Sequence, residues 1–585
     1  DLFTGKGSYY ESYSRKNDVN FALDDTIRFM ETFSPKEILV DFNFNEDDKV
    51  SNMSQTEILS YLKIDRTVIN KTNIKKNNYH KIQNQTTVLN IFESYFNNQI
   101  SIIENLDLQN YNWARTALVG LLEFIKNHQE NLINKLEVPI IFQNKNSLYL
   151  GNRSLEQLNV LPTSSNGTNK TLYDIINFNK SILGKRFLKE QLVNPLINSN
   201  ELNKRYNLIE TFKNNKIDDN IGLYLENVYD IDKILRKCEI DMVDPCELFK
   251  LYSSLNSYNS IVTCLDDLED INKSLNLYEN NINSTKVTSN FEQVFDLDIL
   301  ASKKFTTLYI EDDTTIFNKG YNKDLDEIMK DIDTCNNFLN NLVTSISRLI
   351  DDKNYMNKGT KMCDIKFNDR DGHYLILTKR RQKLVLNKLE SMKTDYIMVG
   401  TIKLDISELE FLDLPKSNNV KLKCNKLNNL SGELVKYKIK LVKKTKELFY
   451  LYVSELMTNY NKQLKNIARD LSFIDFINSG AICSIKNHYC KPIIEDSDKS
   501  FFDVKSIRHP IVEYINDDFK YCPHDISLGK DLNGMLIYGI NSSGKSTLMK
   551  SIGLNILLAQ IGYYIAAKEF TYSPYENMFT RIIGC

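Results

Sequence analysis

Glycine and proline are scarce in this 585-residue chain, at 20 and 10. So few breakers leave long stretches free to stay helical and argue against a turn-rich, all-β architecture. The 10 cysteines show no paired Cys-x-x-Cys spacing, and the close pair Cys483 and Cys490 has neither a second pair nor a histidine at finger spacing. A structural zinc module is therefore not expected, and neither is a disulfide framework in a chain this large. A reducing, intracellular setting follows. Long apolar runs are missing too. The nearest, 552–567, is interrupted by Asn555 and Gln560 and reads as a buried helix rather than a membrane span. No signal peptide is visible. Neither sign of charge dominates, with 74 Lys and Arg against 76 Asp and Glu. A near-zero total still leaves room for a locally basic surface that meets nucleic acid.

The length is several times that of a usual domain, so roughly three to five domains are expected. The first residue is Asp1 rather than Met, which fits a start inside a longer gene product. Near the start, a helical pattern over 22–33 precedes the apolar run Ile38, Leu39, Val40 and Phe42, a helix followed by a buried strand. Over about 101–145 the pattern is helical, with Trp113, Leu118, Leu121, Leu122 and Ile125 at mixed helical spacings. NSLYLGNRSLEQLNVL then predicts a short strand. Helices dominate over 171–258, and one of them stops near Asn194-Pro195, because proline disfavours helix at the residue before it. Helices continue over 260–360.

The texture changes at CDIKFNDRDGHYLILTKRR. Tyr374, Ile376 and Thr378 alternate with Leu375 and Leu377 after a turn at Asp371-Gly372, which predicts a small β insertion. Beyond it, Leu427, Leu434, Leu441 and Leu448 recur every seven residues, with Leu430, Tyr437 and Leu451 in the offset positions and Lys444 interrupting. That repeat predicts a long helix with a buried seam. Lys436, Lys438, Lys440, Lys443 and Lys446 fall mostly on its other faces. Two readings stand for them: a solvated face, the usual fate of helix charge, or a surface that faces DNA phosphates.

Gly539-Ile540-Asn541-Ser542-Ser543-Gly544-Lys545-Ser546 fits GxxxxGK[ST] in full, and Thr547 follows. An apolar strand over 535–538 is expected before it and a helix over 547–559 after it. Gly539 turns the chain off the strand, and Gly544 lets backbone N–H groups approach phosphate oxygens with no Cβ in the way. Those groups and the helix N-terminus make an anion site. Lys545, the candidate catalytic residue, reaches the β- and γ-phosphates, and the Ser546 hydroxyl ligates Mg²⁺. ATP and Mg²⁺ are the expected cofactors. Only 40 residues follow Lys545, and none supplies an acidic strand end or a water-orienting glutamate. Poor hydrolysis by residues 1–585 alone is therefore expected.

Around this loop the sequence resembles the MutS family of DNA mismatch repair ATPases. IRHPIVE (507–513) is similar to the segment that opens the family's ATPase domain, and YCPHDISL (521–528) to its F/Y-x-x-N-D-x-x-L strand. GINSSGKSTLMKSIGLNILLAQIGYYIAA is similar to its loop and helix, and MFTRIIG (578–584) to its FTRIG strand end. Upstream, LGNRSLEQLNV and GKRFLKEQLVNPL resemble the start of the core, DGHYLILTK the clamp, and DLFTGKGSYYE with FSPKEILVDF the connector.

The resemblance implies a multidomain fold, mainly α with α/β parts. An RNase H-like connector would span 1–125, and helical core and lever 126–362. A β clamp would be inserted over 363–438, with returning lever helices over 439–494. A partial P-loop NTPase domain of ABC type would fill 495–585. It implies a mismatch-binding, dimeric sliding clamp, homo- or heterodimeric, on double-stranded DNA, with no membrane. The family's N-terminal mismatch-reading domain has no counterpart in these residues, so a second reading is a relative that binds branched or recombination DNA. Tyr521 would stack on adenine. His524, where the family usually has Asn, either lines the base pocket or is a turn residue. Ser542 and Ser543 replace the commoner Met-Gly pair. Lys379, Arg380, Arg381 and Lys383 either contact DNA phosphates or form an exposed basic turn. These departures and the Asn-rich texture point to a divergent viral or organellar branch. A different P-loop class and a helical scaffold with a vestigial loop are the remaining alternatives.

Overall fold

A computed structural model describes residues 1–2, 4–14, 19–33, 35–42, 53–62, 64, 69–71, 108, 110–128, 136–142, 146–151, 153–162, 170–215, 218–266, 268, 271, 275, 277–305, 313–350, 362–368, 372–392, 394–414, 417–515, 521–541 and 543–582. The chain divides into two compact units. The first comprises Asp1–Val243, Lys250–Thr288 and Met457–Cys585, and the second Asp244–Phe249 and Ser289–Leu456.

In the first unit the helix Phe21–Phe33 precedes the strand Ile38–Val40, which pairs in parallel with Ile69–Lys71. That strand is half-buried rather than buried. The helix Asn112–His128 forms where apolar spacing predicts it. Its inward face is Ala114, Val119, Leu122 and Ile125, whereas Trp113 and Leu121 are exposed at 44% each. Mixed spacing does not assign a face; the stripe at intervals of three to five residues does.

Helices then follow in sequence. Ile182–Val193 stops at Asn194, directly before Pro195, as the proline predicts. Its N-terminus is capped twice. Ser181 Oγ accepts from Gly184 N at 3.0 Å, and Asp475, from a distant helix, accepts from Lys180 N, Ser181 N and Ser181 Oγ at 3.0, 2.8 and 2.6 Å. A carboxylate at a helix N-terminus meets the positive end of the peptide dipoles. Even so, Asp475 is fully buried, and burial pushes its carboxyl up to about 6, against the opposing pull of those hydrogen bonds.

A raised carboxyl pKa means that folding favours the protonated form. That contribution is complete below the ordinary carboxylate range and is lost as pH rises through about 6, amounting to about 3 kcal/mol at most. In urea unfolding, the wild type should therefore gain stability relative to Asp475→Asn as pH falls from about 6.5 to about 4.5. A pH-independent difference between the two would contradict this.

In the second unit, four strands form an antiparallel sheet in the order Glu410–Asp413, Asn419–Lys423, Gly372–Thr378, Asp364–Asn368. Leu375 and Leu377 are buried in it, the alternation read from sequence. A hairpin of Tyr396–Val399 and Ile402–Asp405 lies between these strands in the chain. The β insertion is flanked by the helix Lys323–Leu349 and a helix of 62 residues, Asn425–Lys486.

Leu427, Leu434, Leu441 and Leu448 form the buried seam of that long helix, but Leu451 is 55% exposed. Lys438 also departs from expectation. It is buried and ion-paired with Asp313, because a buried ammonium persists only beside an opposite charge. Lys444 pairs with Asp324 at 3.4 Å. Lys436, Lys440 and Lys443 are exposed.

Candidate nucleotide site

The site lies in the first unit. Four strands form a sheet in the order Ile493–Ile494, Glu569–Tyr572, Phe502–Ile507, His524–Leu528. A bulge between Val504 and Ile507 puts Ser506 at φ 54°, and Asp525 Oδ1 accepts from Ser506 N at 2.7 Å to hold it. The aspartate of YCPHDISL thus has a local structural task. Arg508 follows the bulge and pairs with Glu513 at 2.7 Å while donating to the His488 carbonyl at 2.8 Å.

The helix Lys545–Ile561 begins at the predicted loop. Gly544, its N-cap, has φ +89°, a left-handed conformation that glycine adopts without a Cβ penalty. A Cβ built there meets nothing within 4 Å, so the space over the helix N-terminus is open. At Gly539 a Cβ would lie 2.9 Å from Ser543 Oγ, a contact that rotation of the exposed serine side chain would relieve. Lys545 Nζ donates to the carbonyls of Gly539 at 2.9 Å and Ile540 at 2.6 Å. Ser543 N donates to Ile540 O at 3.3 Å. Asn541, Ser543, Gly544 and Ser546 are exposed and Thr547 is half-buried; Ser542 lies outside the described residues.

The strand expected over 535–538 is not formed. Leu536, Tyr538 and Ile540 are 89%, 90% and 82% exposed. An apolar run becomes a strand only where a neighbour offers its N–H and C=O groups, and none of the described strands pairs with this one. The helix Lys545–Ile561 forms without it.

Tyr521 is half-buried, its ring 6.2 Å from that of His524 and 6.3 Å from that of His509. Burial raises the Tyr521 phenol pKa, and a hydrogen bond with Ser551 opposes the shift. Ser551 is on the P-loop helix, six residues beyond Lys545 and hence ~9 Å along the axis. The structure therefore brings Tyr521 and His524 to the flank of the helix that starts at the loop. His509 is buried, and its Nδ1 accepts from Ile511 N at 3.2 Å and Val512 N at 3.3 Å. Burial, reinforced by the charge of Lys550, pushes its pKa down to about 4, so it stays neutral beside Tyr521.

Two polar side chains on this helix carry roles that sequence reading did not assign. Buried Asn555 donates to Arg508 O at 3.0 Å and accepts from Ala566 N at 2.8 Å. Buried Gln560 donates to Leu196 O at 2.9 Å and Tyr575 O at 2.8 Å. Their signal was present: they are the polar residues that interrupt the apolar run 552–567. A buried amide is kept where it satisfies main-chain groups.

The basic run is placed in the second unit and is helical rather than a turn. Lys379, Arg380, Arg381 and Lys383 occupy the first turns of the helix Lys379–Glu390, because Thr378 Oγ1 accepts from Arg381 N at 3.4 Å and caps it. Lys379 pairs with Asp413 at 3.1 Å, and Arg381 donates to Met362 O at 2.9 Å. Lys379, Arg380 and Lys383 are exposed.

Among the described residues no helix is long and apolar enough to cross a membrane. The family model described as MutS domain III matches residues 153–481, and that described as MutS domain V matches 535–585. The chain is 30% identical to mutS homolog L359 of Acanthamoeba polyphaga mimivirus, over 100% of this chain and 57% of the relative. It is 27% identical to a mitochondrial DNA mismatch repair protein mutS homolog of Sarcophyton glaucum, over 83% of this chain and 47% of the relative. The DNA mismatch repair protein MutS of Fervidobacterium nodosum is 26% identical, over 87% of this chain and 57% of its own length. The chain thus spans about half the length of these relatives. With the domain III match covering more than half of the sequence and the loop, helix and capping glycine in place, the chain belongs to the MutS family.

Proposed function

We propose that this chain binds Mg-ATP at 539–547 and grips double-stranded DNA, mismatched or branched, as one subunit of a dimeric clamp in mismatch repair. The observation that carries the nucleotide half is the left-handed Gly544 opening the helix Lys545–Ile561, with the Lys545 ammonium held over the loop carbonyls. Backbone N–H groups at that helix N-terminus would hold the phosphates, and the exposed Ser546 hydroxyl would take the metal. Bound there, Mg²⁺ would supply positive charge that offsets the charge of the phosphates. For Lys545, binding exchanges neutral carbonyl acceptors for charged phosphate oxygens, which strengthens each bond. Tyr521 is the candidate ring for the base, with the rings of neutral His509 and of His524 beside it. Hydrolysis needs, in addition, metal held from a second side and a positioned water.

The DNA half is supported by the basic helix start at Lys379–Glu390 and by the names of the relatives. Peptide dipoles and side-chain cations there add to one positive potential, suited to phosphates and indifferent to sequence. Its test is neutralisation of Lys379, Arg380, Arg381 and Lys383 together, each to glutamine. Duplex affinity at low salt should fall more than about tenfold, and the slope of log affinity against log salt should flatten by roughly 0.9 per lost contact. An unchanged affinity and slope would remove this surface from the proposal.

A further inference from the structure

The far end of the P-loop helix is held in an unusual way. A helix leaves its last four carbonyls without intrahelical donors. In Lys545–Ile561 these belong to Leu558, Ala559, Gln560 and Ile561. Leu558 O receives Tyr563 N at 3.0 Å. Ala559 O receives Gly562 N at 2.9 Å and the Tyr206 phenol at 2.6 Å. Gln560 O receives Leu196 N at 2.7 Å, and Ile561 O receives Arg205 Nη1 at 2.6 Å. Three of the four are therefore held by one stretch of the helical body, residues 196–206.

Arg205 reaches further than the cap. Its Nη2 donates to Gln191 Oε1 at 2.8 Å, and its guanidinium sits 5.2 Å from the ring centroid of Phe476 on the long helix Asn425–Lys486. Phe476 is tied to the same place a second time. Tyr563 donates to its carbonyl at 2.8 Å, with the two rings 4.7 Å apart. The fit is close: Gly562 reverses the chain at φ +89°, and a Cβ there would lie 2.8 Å from Arg205 Cβ and closer still to its Cδ. Burial pushes the guanidinium down to about 10, so it remains charged at neutral pH. A buried cation carries a desolvation cost that an aliphatic side chain of similar volume would avoid. Here it meets the negative end of a helix whose positive end is the phosphate loop.

We infer that Arg205 is a positioning residue that couples the P-loop helix to the long helix Asn425–Lys486, so that occupation of the loop resets the long helix around Phe476. The helix between loop and cap has 17 residues, a rod of ~25 Å that joins the phosphate loop directly to the Arg205 contact. Arg205 does not touch nucleotide in this account; it acts through the Ile561 carbonyl.

The inference rests on nucleotide binding at the loop, and hydrogen exchange on the full chain separates the two. In the wild type, Mg-ATP should slow exchange at 543–548 and alter it at 470–480. Arg205→Met should keep ATP affinity within about twofold and keep the slowing at 543–548, but lose the response at 470–480. Arg205→Lys should restore part of it. Tyr563→Phe, which retains the ring and removes the phenol's hydrogen bonds to the Phe476 carbonyl and to Ser479, should weaken the 470–480 response with the loop responding in full. An undiminished response at 470–480 in both Arg205→Met and Tyr563→Phe would overturn the coupling, as would its absence in a wild type whose loop is protected. No slowing at 543–548 in the wild type would instead contradict the nucleotide reading, and the coupling with it.

Discussion

Replacing Lys545 with alanine is expected to lower the affinity for Mg-ATP by about 100-fold or more. A hydrogen bond to a charged group contributes about 1.5–3 kcal/mol, and Lys545 is placed to make more than one to phosphate oxygens. The fold should not notice the change. Among the described residues the ammonium's hydrogen bonds go to Gly539 O, Ile540 O and Ser543 Oγ, all in an exposed loop. Lysine at the first position of the helix adds a like charge to its positive end, which if anything disfavours the helix. Binding and stability should therefore separate. Titration with a fluorescent ATP analogue should show the loss, while the melting temperature without nucleotide stays within a degree or two. Equal affinity in wild type and variant would mean that Lys545 is not the phosphate-facing group.

The second large effect concerns stability, and it sets two glycines against each other. Both sit inside helices, where alanine is favoured over glycine by about 1 kcal/mol. Gly432 lies on an exposed face of Asn425–Lys486, and a Cβ built there meets nothing within 4 Å. Gly432→Ala should therefore stabilise by about 0.5–1 kcal/mol. Gly184 lies under the Asp475 cap. A Cβ there would stand 2.6 Å from Asp475 Cγ and 2.7 Å from Asn179 Oδ1.

Asp475 cannot swing aside cheaply, because Lys180 N, Ser181 N and Ser181 Oγ all donate to it in a buried place. Overpacking costs about 1–3 kcal/mol, and each buried donor left without a partner costs a similar amount. Crowding outweighs propensity, and Gly184→Ala should destabilise by about 3–5 kcal/mol. Urea unfolding followed by helical circular dichroism reads both variants. A neutral Gly184→Ala would show that the Asp475 carboxylate relaxes freely and that the cap is not tight.

The features legible in sequence were those whose causes are local. The P-loop pattern is contiguous, and its helix follows from residues next to one another. The stop at Asn194 is set by Pro195, and the buried seam Leu427, Leu434, Leu441, Leu448 by a periodicity within one helix. What could not be read depends on partners far away in the chain. The strand expected over 535–538 has the right composition, but a strand is completed by its neighbour, and composition does not say whether one is in reach. Lys438 looks like any surface lysine until Asp313 is placed beside it.

The basic run was legible as charge but not as a helix start, because the Thr378 cap is one residue whose geometry alone reveals it. The Arg205 joint is the extreme case. Its bond to Ile561 O spans 356 residues, and nothing near Arg205 in sequence marks it as different from other arginines on a helix. Asn555 and Gln560 fall between these cases. Their polarity within an apolar run signals a buried obligation without naming the main-chain groups that they satisfy.

The most direct test of a phosphate cradle is the exchange behaviour of its own amides. Hydrogen exchange at 543–548 should slow in the full chain when Mg-ATP is added, stay as it was with adenosine, and stay as it was in Lys545→Ala at the same ATP concentration. Unslowed exchange at these amides under saturating Mg-ATP would contradict the account.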